Sequence, residues 1–259
     1  MRTLLMDEIR SAWMGLKNHW YIPPSGEKMS AKLGYDFLRC TIATGLRIFL
    51  RLRIKGVANI PKKGPTILAA NHLSHVDPIA VIISSRRKSH YLAKDAHFKN
   101  IFLRTFMNVT GMIETNRETG GTEALSRAVD VLEKNRALGI FPEGTRSKKD
   151  EPPFLLPGKT GIARLSASYP DVPVVPIAIN GTREMMKPNK HKLPRMWKKI
   201  SLSYGKPITW MEWLSENYSV EDLLALADKD DEAIKNKLSE MFRNFTDQFM
   251  ELLKSQGAP

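Results

Sequence analysis

The feature that most constrains the fold of this chain is an alternation of two hydrophobic periods that begins at Leu52. Short runs rich in β-branched residues alternate with segments whose apolar residues recur at helical spacing. The runs predict strands at residues 52–57, 66–70, 89–93, 111–115, 137–141, 172–179 and 199–204, and the helical segments predict helices at 122–135, 161–168 and 230–254. Strands that alternate with helices indicate an α/β fold, and we predict a mixed sheet of roughly seven strands covered by helices.

The length of 259 residues suits one large domain with a modest appendage, which would bury about three quarters of the surface of the unfolded chain. The content of 42% hydrophobic and 26% charged residues is typical of a globular protein. The single cysteine, Cys40, excludes a disulfide framework and a cysteine-rich zinc site. We divide the chain into an N-terminal helical pair, residues 1–51, and a domain of residues 52–259.

Residues 1–51 contain two amphipathic patterns separated by the helix-breaking segment 21–26. Their apolar stripes are Leu5, Ile9, Ala12, Trp13, Leu16 and Trp20 in the first, and Leu33, Phe37, Leu38, Ile42, Leu46, Phe49 and Leu50 in the second. Arginines flank the stripes, as in helices that lie in a membrane interface, and we expect this pair to bind a membrane. The same pattern is compatible with helices that pack on the protein's own core. No stretch reaches the roughly 18 apolar residues of a spanning helix.

The formal net charge of +13 is unevenly distributed along the chain. Residues 1–110 carry 18 basic and 6 acidic side chains, residues 151–210 carry 10 and 3, and residues 211–259 carry 5 and 11. Such a charge favours nucleic acid, an anionic membrane surface or an anionic substrate as the partner. The basic cluster at 183–199 contains Trp197 but no recognisable nucleic-acid-binding motif, so we expect no nucleic-acid partner.

The first chemistry-bearing motif is A-N-H-L-S-H-V-D-P at residues 70–78, directly after a predicted strand. On a regular helix His72 and Asp77 would lie about 140° apart, so the two meet only if the chain turns between them. A histidine oriented by a carboxylate is a general base for a substrate hydroxyl. Alternatives are a histidine that only stabilises a turn, an Asp77 that only caps a helix, and a metal site that includes His75. Because the other histidines are scattered singly, we expect no metal.

Three further motifs follow predicted strands or form part of one. G-I-F-P-E-G-T-R-S at 139–147 combines the flexible backbone of Gly144 with the planar guanidinium of Arg146, which suits phosphate or carboxylate. G-M-I-E-T-N-R at 111–117 brings Arg117 to another strand end. In V-P-V-V-P-I at 172–177, Pro173 and Pro176 cannot both donate to a ladder, so we expect this segment to border an edge or a cavity.

These four segments, in this order, resemble the 1-acylglycerol-3-phosphate acyltransferases of the glycerolipid acyltransferase superfamily. The resemblance covers about residues 50–210 and implies the fold of that superfamily. It implies that His72 and Asp77 are the catalytic pair. It also implies the positions of two binding regions. The acceptor phosphate is assigned to Lys94, Arg117, Glu143, Gly144 and Arg146, and the acyl donor or acyl chain to Val175, Pro176 and Ile177.

The resemblance implies transfer of a fatty acyl group from acyl-CoA or acyl-carrier protein to the free hydroxyl of 1-acylglycerol-3-phosphate, without a metal or other cofactor. Glu114, Thr115 and Asn116 replace a more apolar stretch before Arg117, so an acceptor such as glycerol-3-phosphate or another lysolipid is an alternative. Remote alternatives are a nucleic-acid-binding module and a non-catalytic membrane scaffold. The expected partners are a lysophosphatidate-type lipid, an acyl thioester and an anionic membrane surface, with membrane association, peripheral or monotopic, on the cytoplasmic side.

Overall fold

A computed structural model describes residues 2–27, 35, 45, 47, 52–85, 87–94, 112–115, 121–188, 190, 195 and 197–259. Its helices are α1 (Arg2–Gly15), α2 (Lys17–Trp20), α3 (Asp77–Ser84), α4 (Gly121–Glu133), α5 (Gly161–Ser168), α6 (Thr182–Met185), α7 (Trp210–Asn217), α8 (Val220–Ala227) and α9 (Asp231–Ser255). Its strands are β1 (Arg53–Lys55), β2 (Thr66–Ala70), β3 (Ser89–Lys94), β4 (Ile113–Thr115), β5 (Ala137–Ile140), β6 (Val174–Asn180) and β7 (Ser201–Tyr204).

The sheet is mixed, which confirms the predicted α/β class. Six strands follow the order β1-β7-β6-β2-β5-β3, and β4 pairs with the last residues of β3 beyond them. Within the group of strands β2 to β6, every pair of neighbouring strands is parallel. Strand β7 runs antiparallel to β6, and β1 runs parallel to β7. The carboxyl ends of β2, β3, β5 and β6 therefore meet at one edge of the sheet, which we call the site edge.

Two hydrophobic clusters cover the two faces of the sheet because successive residues of β2 point to opposite sides. Ile67 and Ala69 belong to the cluster that includes α1, α2, α4, α5 and α7 to α9. Leu68 and Ala70 belong to the cluster that includes α3 and the apolar residues of β7. All five residues of β2 are buried, as expected of a central parallel strand.

The structure corrects the predicted orientation of the first amphipathic helix. Of the stripe that we expected to face lipid, Leu5 is 48% exposed, but the others are buried in the protein's own core: Ile9, Ala12, Trp13, Leu16 and Trp20. The Trp13 ring stacks on Trp20 with centroids 5.1 Å apart, and its indole N–H donates to the carbonyl of Ala167 at 3.3 Å. This helix therefore stabilises the fold, which was the alternative that the amphipathic pattern left open.

The Trp13→Ala variant is expected to lower the free energy of unfolding by about 3–5 kcal/mol, because it removes a fully buried indole from between Trp20 and Trp210. Chemical denaturation measures the change. The matched control is Met14→Ala one residue along, since Met14 is 42% exposed and its removal should cost within about 0.5 kcal/mol. A Trp13→Ala variant as stable as the Met14→Ala variant would contradict the packing of α1 on the core.

The second amphipathic pattern, residues 33–50, lies outside the described residues apart from Tyr35, Gly45 and Arg47. The Tyr35 hydroxyl accepts from the Ser89 N–H at 3.0 Å and donates to the Ser89 carbonyl at 3.2 Å. Across the part of the chain that the structure describes, every helix is too short or too polar to cross a membrane. Membrane binding by this second segment stays a prediction, as does the domain boundary after residue 51.

The structure also corrects the expectation that residues 172–177 border an edge or a cavity. Strand β6 is central, between β2 and β7. Pro176 has no N–H to donate to a neighbouring strand. It is tolerated in this central strand because the segment at residues 204–208, which pairs with β6, bulges opposite it. Val174 exchanges two hydrogen bonds with Ile208, pairing with β7 resumes at Ile177 opposite Tyr204, and the Pro176 carbonyl accepts from the Gly205 N–H at 2.9 Å. A bulge accommodates a proline in a central strand.

Candidate active site

The first and third motifs converge because each begins where a parallel strand ends. His72 follows β2, Phe141 to Ser147 follow β5, and the two strands are paired directly. The two turns are joined by the Ser147 N–H, which donates to the carbonyl of His72 at 2.9 Å. Segments about seventy residues apart in sequence thus form one site at the site edge, where α/β folds bind their ligands.

His72 and Asp77 meet as predicted. His72 Nδ1 lies 2.9 Å from Asp77 Oδ2, although the two residues are five apart, because the chain turns at residues 73–76 before α3 begins at Asp77. The same Oδ2 accepts the backbone N–H of Leu73 at 2.6 Å and that of Ser74 at 2.7 Å. The Asp77 side chain is fully buried, whereas 17% of the His72 side chain is exposed. An anchored carboxylate thus orients an accessible imidazole.

Two aromatic rings pack in series against one face of the His72 imidazole. The His72 ring stacks on Phe141 with centroids 3.9 Å apart and an angle of 12° between the planes. Tyr91 lies 5.4 Å behind Phe141, centroid to centroid. Gly139 makes room for the Tyr91 ring, since a Cβ at that position would lie 2.2 Å from the ring. Contacts with Asp77 and Phe141 therefore restrict the rotation of His72.

Glu143 has a different role from the phosphate contact that we predicted. Its Oε1 accepts the backbone N–H of His72 at 2.5 Å, and its Oε2 accepts that of Leu156 at 2.9 Å. The residue is 2% exposed, so its carboxyl group fixes the His72 turn from inside the protein. Burial raises the pKa of Glu143 to about 7, while the two N–H donors oppose the shift.

Glu143 is expected to make stability pH-dependent. Folding raises its pKa from 4.5 to about 7, so its favourable contribution is full below pH 4.5 and is lost as the pH rises through about 7. The loss is on the order of 3 kcal/mol. Urea unfolding should show that Glu143→Gln is destabilised relative to wild type by more at about pH 5 than at about pH 8. Glu151→Gln, at an exposed position, is the control. A stability difference between Glu143→Gln and wild type that does not vary with pH would contradict the raised pKa.

Gly144 and Arg146 form the exposed side of the same turn. Gly144 has φ of +67°, a conformation that favours glycine, and its N–H donates to the Phe141 carbonyl at 2.9 Å. A Cβ on Gly144 would lie 3.0 Å from Cδ of Lys159, so this exposed lysine lies along the turn. Burial lowers the pKa of Arg146, and the charge of Asp77 opposes that shift. The half-buried guanidinium of Arg146 therefore carries a positive charge that interacts with the charge of Asp77.

The remaining predicted residues are only partly described. Lys94 ends β3 at the site edge and pairs with Thr115 of β4, but the structure describes only its backbone. Arg117 lies outside the described residues. Val175, Pro176 and Ile177 are buried in β6, and their assignment to the acyl donor or acyl chain stays a prediction.

The sequence analysis missed several residues that hold the site together. The Asn71 side chain continues the pairing of β2 with β6, since its amide donates to the Ile179 carbonyl at 3.0 Å and its oxygen accepts the Ile179 N–H at 2.7 Å. The buried Arg183 donates to the Ser147 carbonyl at 3.1 Å and covers the Phe154 ring at 4.3 Å. Asn71 lies in the first motif and Arg183 begins the basic cluster at 183–199. Sequence patterns do not show these contacts, because Ile179 is about a hundred residues from Asn71 and Ser147 is about forty residues from Arg183.

Metal ligation finds no support in the part of the chain that is described. No three His, Cys, Asp or Glu side chains among those residues lie close enough together to hold an ion.

Comparison with known proteins identifies the class of enzyme. The model of the family described as Acyltransferase matches residues 51–180, which include the His72 and Arg146 turns. The chain belongs to this acyltransferase family.

Three similar proteins are named 1-acyl-sn-glycerol-3-phosphate acyltransferase. The protein from Bacillus subtilis is 29% identical over 159 residues, covering 58% of this chain and 77% of the relative. Those from Borreliella burgdorferi and Saccharomyces cerevisiae are 31% and 27% identical, covering 45% and 82% of this chain and 48% and 63% of their own lengths.

The crystal structure of the 1-acyl-sn-glycerophosphate (LPA) acyltransferase from Thermotoga maritima shares the fold. The TM-score is 0.51 at 18% identity, and the match covers 96% of this chain and 97% of that one.

Proposed function

We propose that this protein transfers a fatty acyl group from an acyl thioester, acyl-CoA or acyl-carrier protein, to the free hydroxyl of 1-acylglycerol-3-phosphate, giving phosphatidate. The observation that carries the proposal is the bond of 2.9 Å between His72 Nδ1 and a fully buried Asp77, beside the half-buried Arg146. The names of the relatives agree with this acceptor.

The proposed reaction needs one general base and no covalent enzyme intermediate. With Nδ1 bonded to Asp77, Nε2 of His72 accepts the proton of the lipid hydroxyl as its oxygen attacks the thioester carbonyl carbon. The carbon–sulfur bond then breaks, and the imidazolium returns the proton to the leaving thiolate, so that the products are an ester and a free thiol. The Asp77 carboxylate stabilises the transient imidazolium.

Arg146 would bind the acceptor phosphate through its planar guanidinium, since two parallel N–H donors match two phosphate oxygens. This contact would fix the distance between the hydroxyl and the thioester, and such positioning supplies a large part of the rate of a reaction between two substrates. Lys94 and Arg117, which the family resemblance assigns to the same phosphate, would extend the contact. The half-burial of Arg146 supports this role, because a phosphate contact gains strength where water is partly excluded.

The experiment that tests the proposal is release of free thiol from acyl-CoA and, separately, acyl-carrier protein, with a panel of acceptors. Lysophosphatidate should release thiol, whereas glycerol-3-phosphate and a lysolipid without a terminal phosphate should release little. Release with glycerol-3-phosphate alone would assign the protein to a different acceptor. The absence of release with every pair of donor and acceptor would refute the proposed activity.

Substitution of Arg146 tests the phosphate contact. Arg146→Gln is expected to lower kcat/KM for lysophosphatidate by about 10²-fold, since hydrogen bonds to charged groups contribute about 1.5–3 kcal/mol each. Arg146→Lys keeps the charge but not the planar pair of donors and should recover part of the loss. Lys63→Gln, an exposed lysine before β2 at the opposite edge of the sheet, is the control. Loss of activity by Lys63→Gln and not by Arg146→Gln would contradict the assignment.

A further inference from the structure

Trp197 is exposed in a way that sets it apart from the other tryptophans. The chain has five tryptophans, of which Trp13, Trp20, Trp210 and Trp213 are at most 5% exposed, whereas Trp197 is 68% exposed. Tryptophan is enriched in protein interfaces and where proteins meet the interface of a lipid bilayer.

The chain around Trp197 carries positive charge and no negative charge. Between Glu184 and Glu212 there is no acidic residue, but there are seven lysines and arginines. The structure describes four of these basic residues near Trp197. Three are exposed, namely Lys190, Arg195 and Lys199, and Lys198 is half-buried. We call Lys190, Arg195, Trp197, Lys198 and Lys199 the basic loop. In contrast, the last 49 residues are acidic on balance, with 5 basic and 11 acidic side chains.

The basic loop lies at the site edge, next to the His72 turn. It connects α6, which follows the carboxyl end of β6, to β7, which runs back from that edge. The Arg195 N–H donates to the Met185 carbonyl at 2.9 Å, and the adjacent Met186 carbonyl accepts from the hydroxyl of Ser74, in the His72 turn, at 2.9 Å. A surface bound by the loop would therefore face the entrance of the site.

We propose that the basic loop docks the protein on an anionic lipid bilayer. The Trp197 indole inserts among the lipid headgroups, and Lys190, Arg195, Lys198 and Lys199 lie over anionic lipids. The site edge then faces the bilayer, so that a lipid acceptor reaches His72 without crossing water. This last point rests on the proposed function, whereas the docking itself does not.

Vesicles of phosphatidylcholine with phosphatidylglycerol, carrying brominated acyl chains, test this docking. Bromine quenches tryptophan fluorescence at short range, and because the other four tryptophans are buried, quenching reports on Trp197. Wild-type protein should be quenched by these vesicles and not by vesicles of brominated phosphatidylcholine alone, and Trp197→Phe should remove the quenching. Quenching that persists in Trp197→Phe would overturn the proposal.

Charge variants test the role of the four cations by vesicle sedimentation. Each basic residue near an anionic surface is worth about fivefold in affinity, and independent contributions multiply, so the fourfold variant K190Q/R195Q/K198Q/K199Q should bind about 600-fold more weakly. The matched control K63Q/K229Q/K235Q/K254Q removes the same charge at four exposed lysines outside the basic loop and should bind nearly as well as wild type. Equal loss in the two variants would mean that net charge alone drives binding, which would overturn the proposal.

The two proposals fail separately. Vesicle binding is measured without acyl donor or acceptor, so a protein that docks but makes no phosphatidate refutes the proposed function only. Conversely, the fourfold variant K190Q/R195Q/K198Q/K199Q should keep wild-type activity on a short-chain lysophosphatidate that is monomeric in water. If the fourfold variant keeps vesicle binding but loses binding to a single-stranded DNA oligonucleotide that wild type binds, the loop serves nucleic acid and docking is refuted.

Discussion

Replacement of His72 by alanine is expected to lower kcat for acyl transfer by about 10²–10⁴-fold, the usual contribution of a positioned general base. The loss should fall on kcat rather than on KM, because the imidazole acts on the reacting hydroxyl and makes no other proposed contact with the lipid. The His72 side chain is 17% exposed and stacks on Phe141 on one face. We therefore expect the His72→Ala variant to keep the fold. Thiol release with lysophosphatidate measures the effect, and circular dichroism verifies that the variant is folded.

The matched control for His72 is His75, which lies three residues along in the same turn. His75 is exposed, whereas His72 is bonded to Asp77. His75→Ala should therefore retain activity within a few-fold of wild type. Equal activity of His72→Ala and wild type, or a greater loss in His75→Ala, would refute the assigned base.

The second large effect is expected for Asp77→Asn. The amide oxygen can replace Oδ2 as acceptor for His72, Leu73 and Ser74, so the turn keeps its shape, but the charge that stabilises the imidazolium is lost. We expect kcat to fall by about 10²-fold or more, with KM for the acceptor little changed. The variant should also lose about 1–3 kcal/mol of stability, since its NH₂ group would replace Oδ1, which has no hydrogen-bond partner among the described residues.

Asp130→Asn separates the two consequences of losing a buried carboxylate. Asp130 lies in α4, is 5% exposed, and accepts from the Ser25 hydroxyl and the Gly26 N–H rather than from a residue of the site. Its amide variant should lose stability without losing kcat. If Asp77→Asn lost stability and kept the wild-type kcat, Asp77 would be a structural residue of the turn and the proposed mechanism would be wrong.

The pairing of His72 with Asp77 could be predicted because all of its elements are local. The strand before residue 71, the five-residue spacing and the helix start near Pro78 are visible in the sequence. The role of Glu143 could not be predicted, because it depends on backbone N–H groups of His72 and Leu156 that folding brings to it. A motif shows which residue types are present, but it does not show which face of a turn each of them occupies.

The errors about the fold have the same origin. Helical periodicity identifies the apolar stripe of α1, but it does not distinguish a stripe that faces lipid from one that Trp210 and other core residues cover. Pro173 and Pro176 predicted a segment that borders an edge or a cavity, and the bulge at Gly205 that accommodates Pro176 lies about thirty residues further along the chain. By contrast, the predicted strand at residues 66–70 and the helix at 161–168 match β2 and α5, because their signals lie within the elements themselves.

The measurement that tests the central claim most directly is the product of a single turnover. Excess protein is mixed with lysophosphatidate and an acyl thioester labelled in its acyl chain, and the lipid and protein fractions are analysed by mass spectrometry. We predict that wild type forms labelled phosphatidate without label on the protein, and that His72→Ala forms about 10²-fold less in the same time. Phosphatidate formed by His72→Ala at the wild-type rate, or label bound covalently to the wild-type protein, would contradict direct transfer by the His72–Asp77 pair.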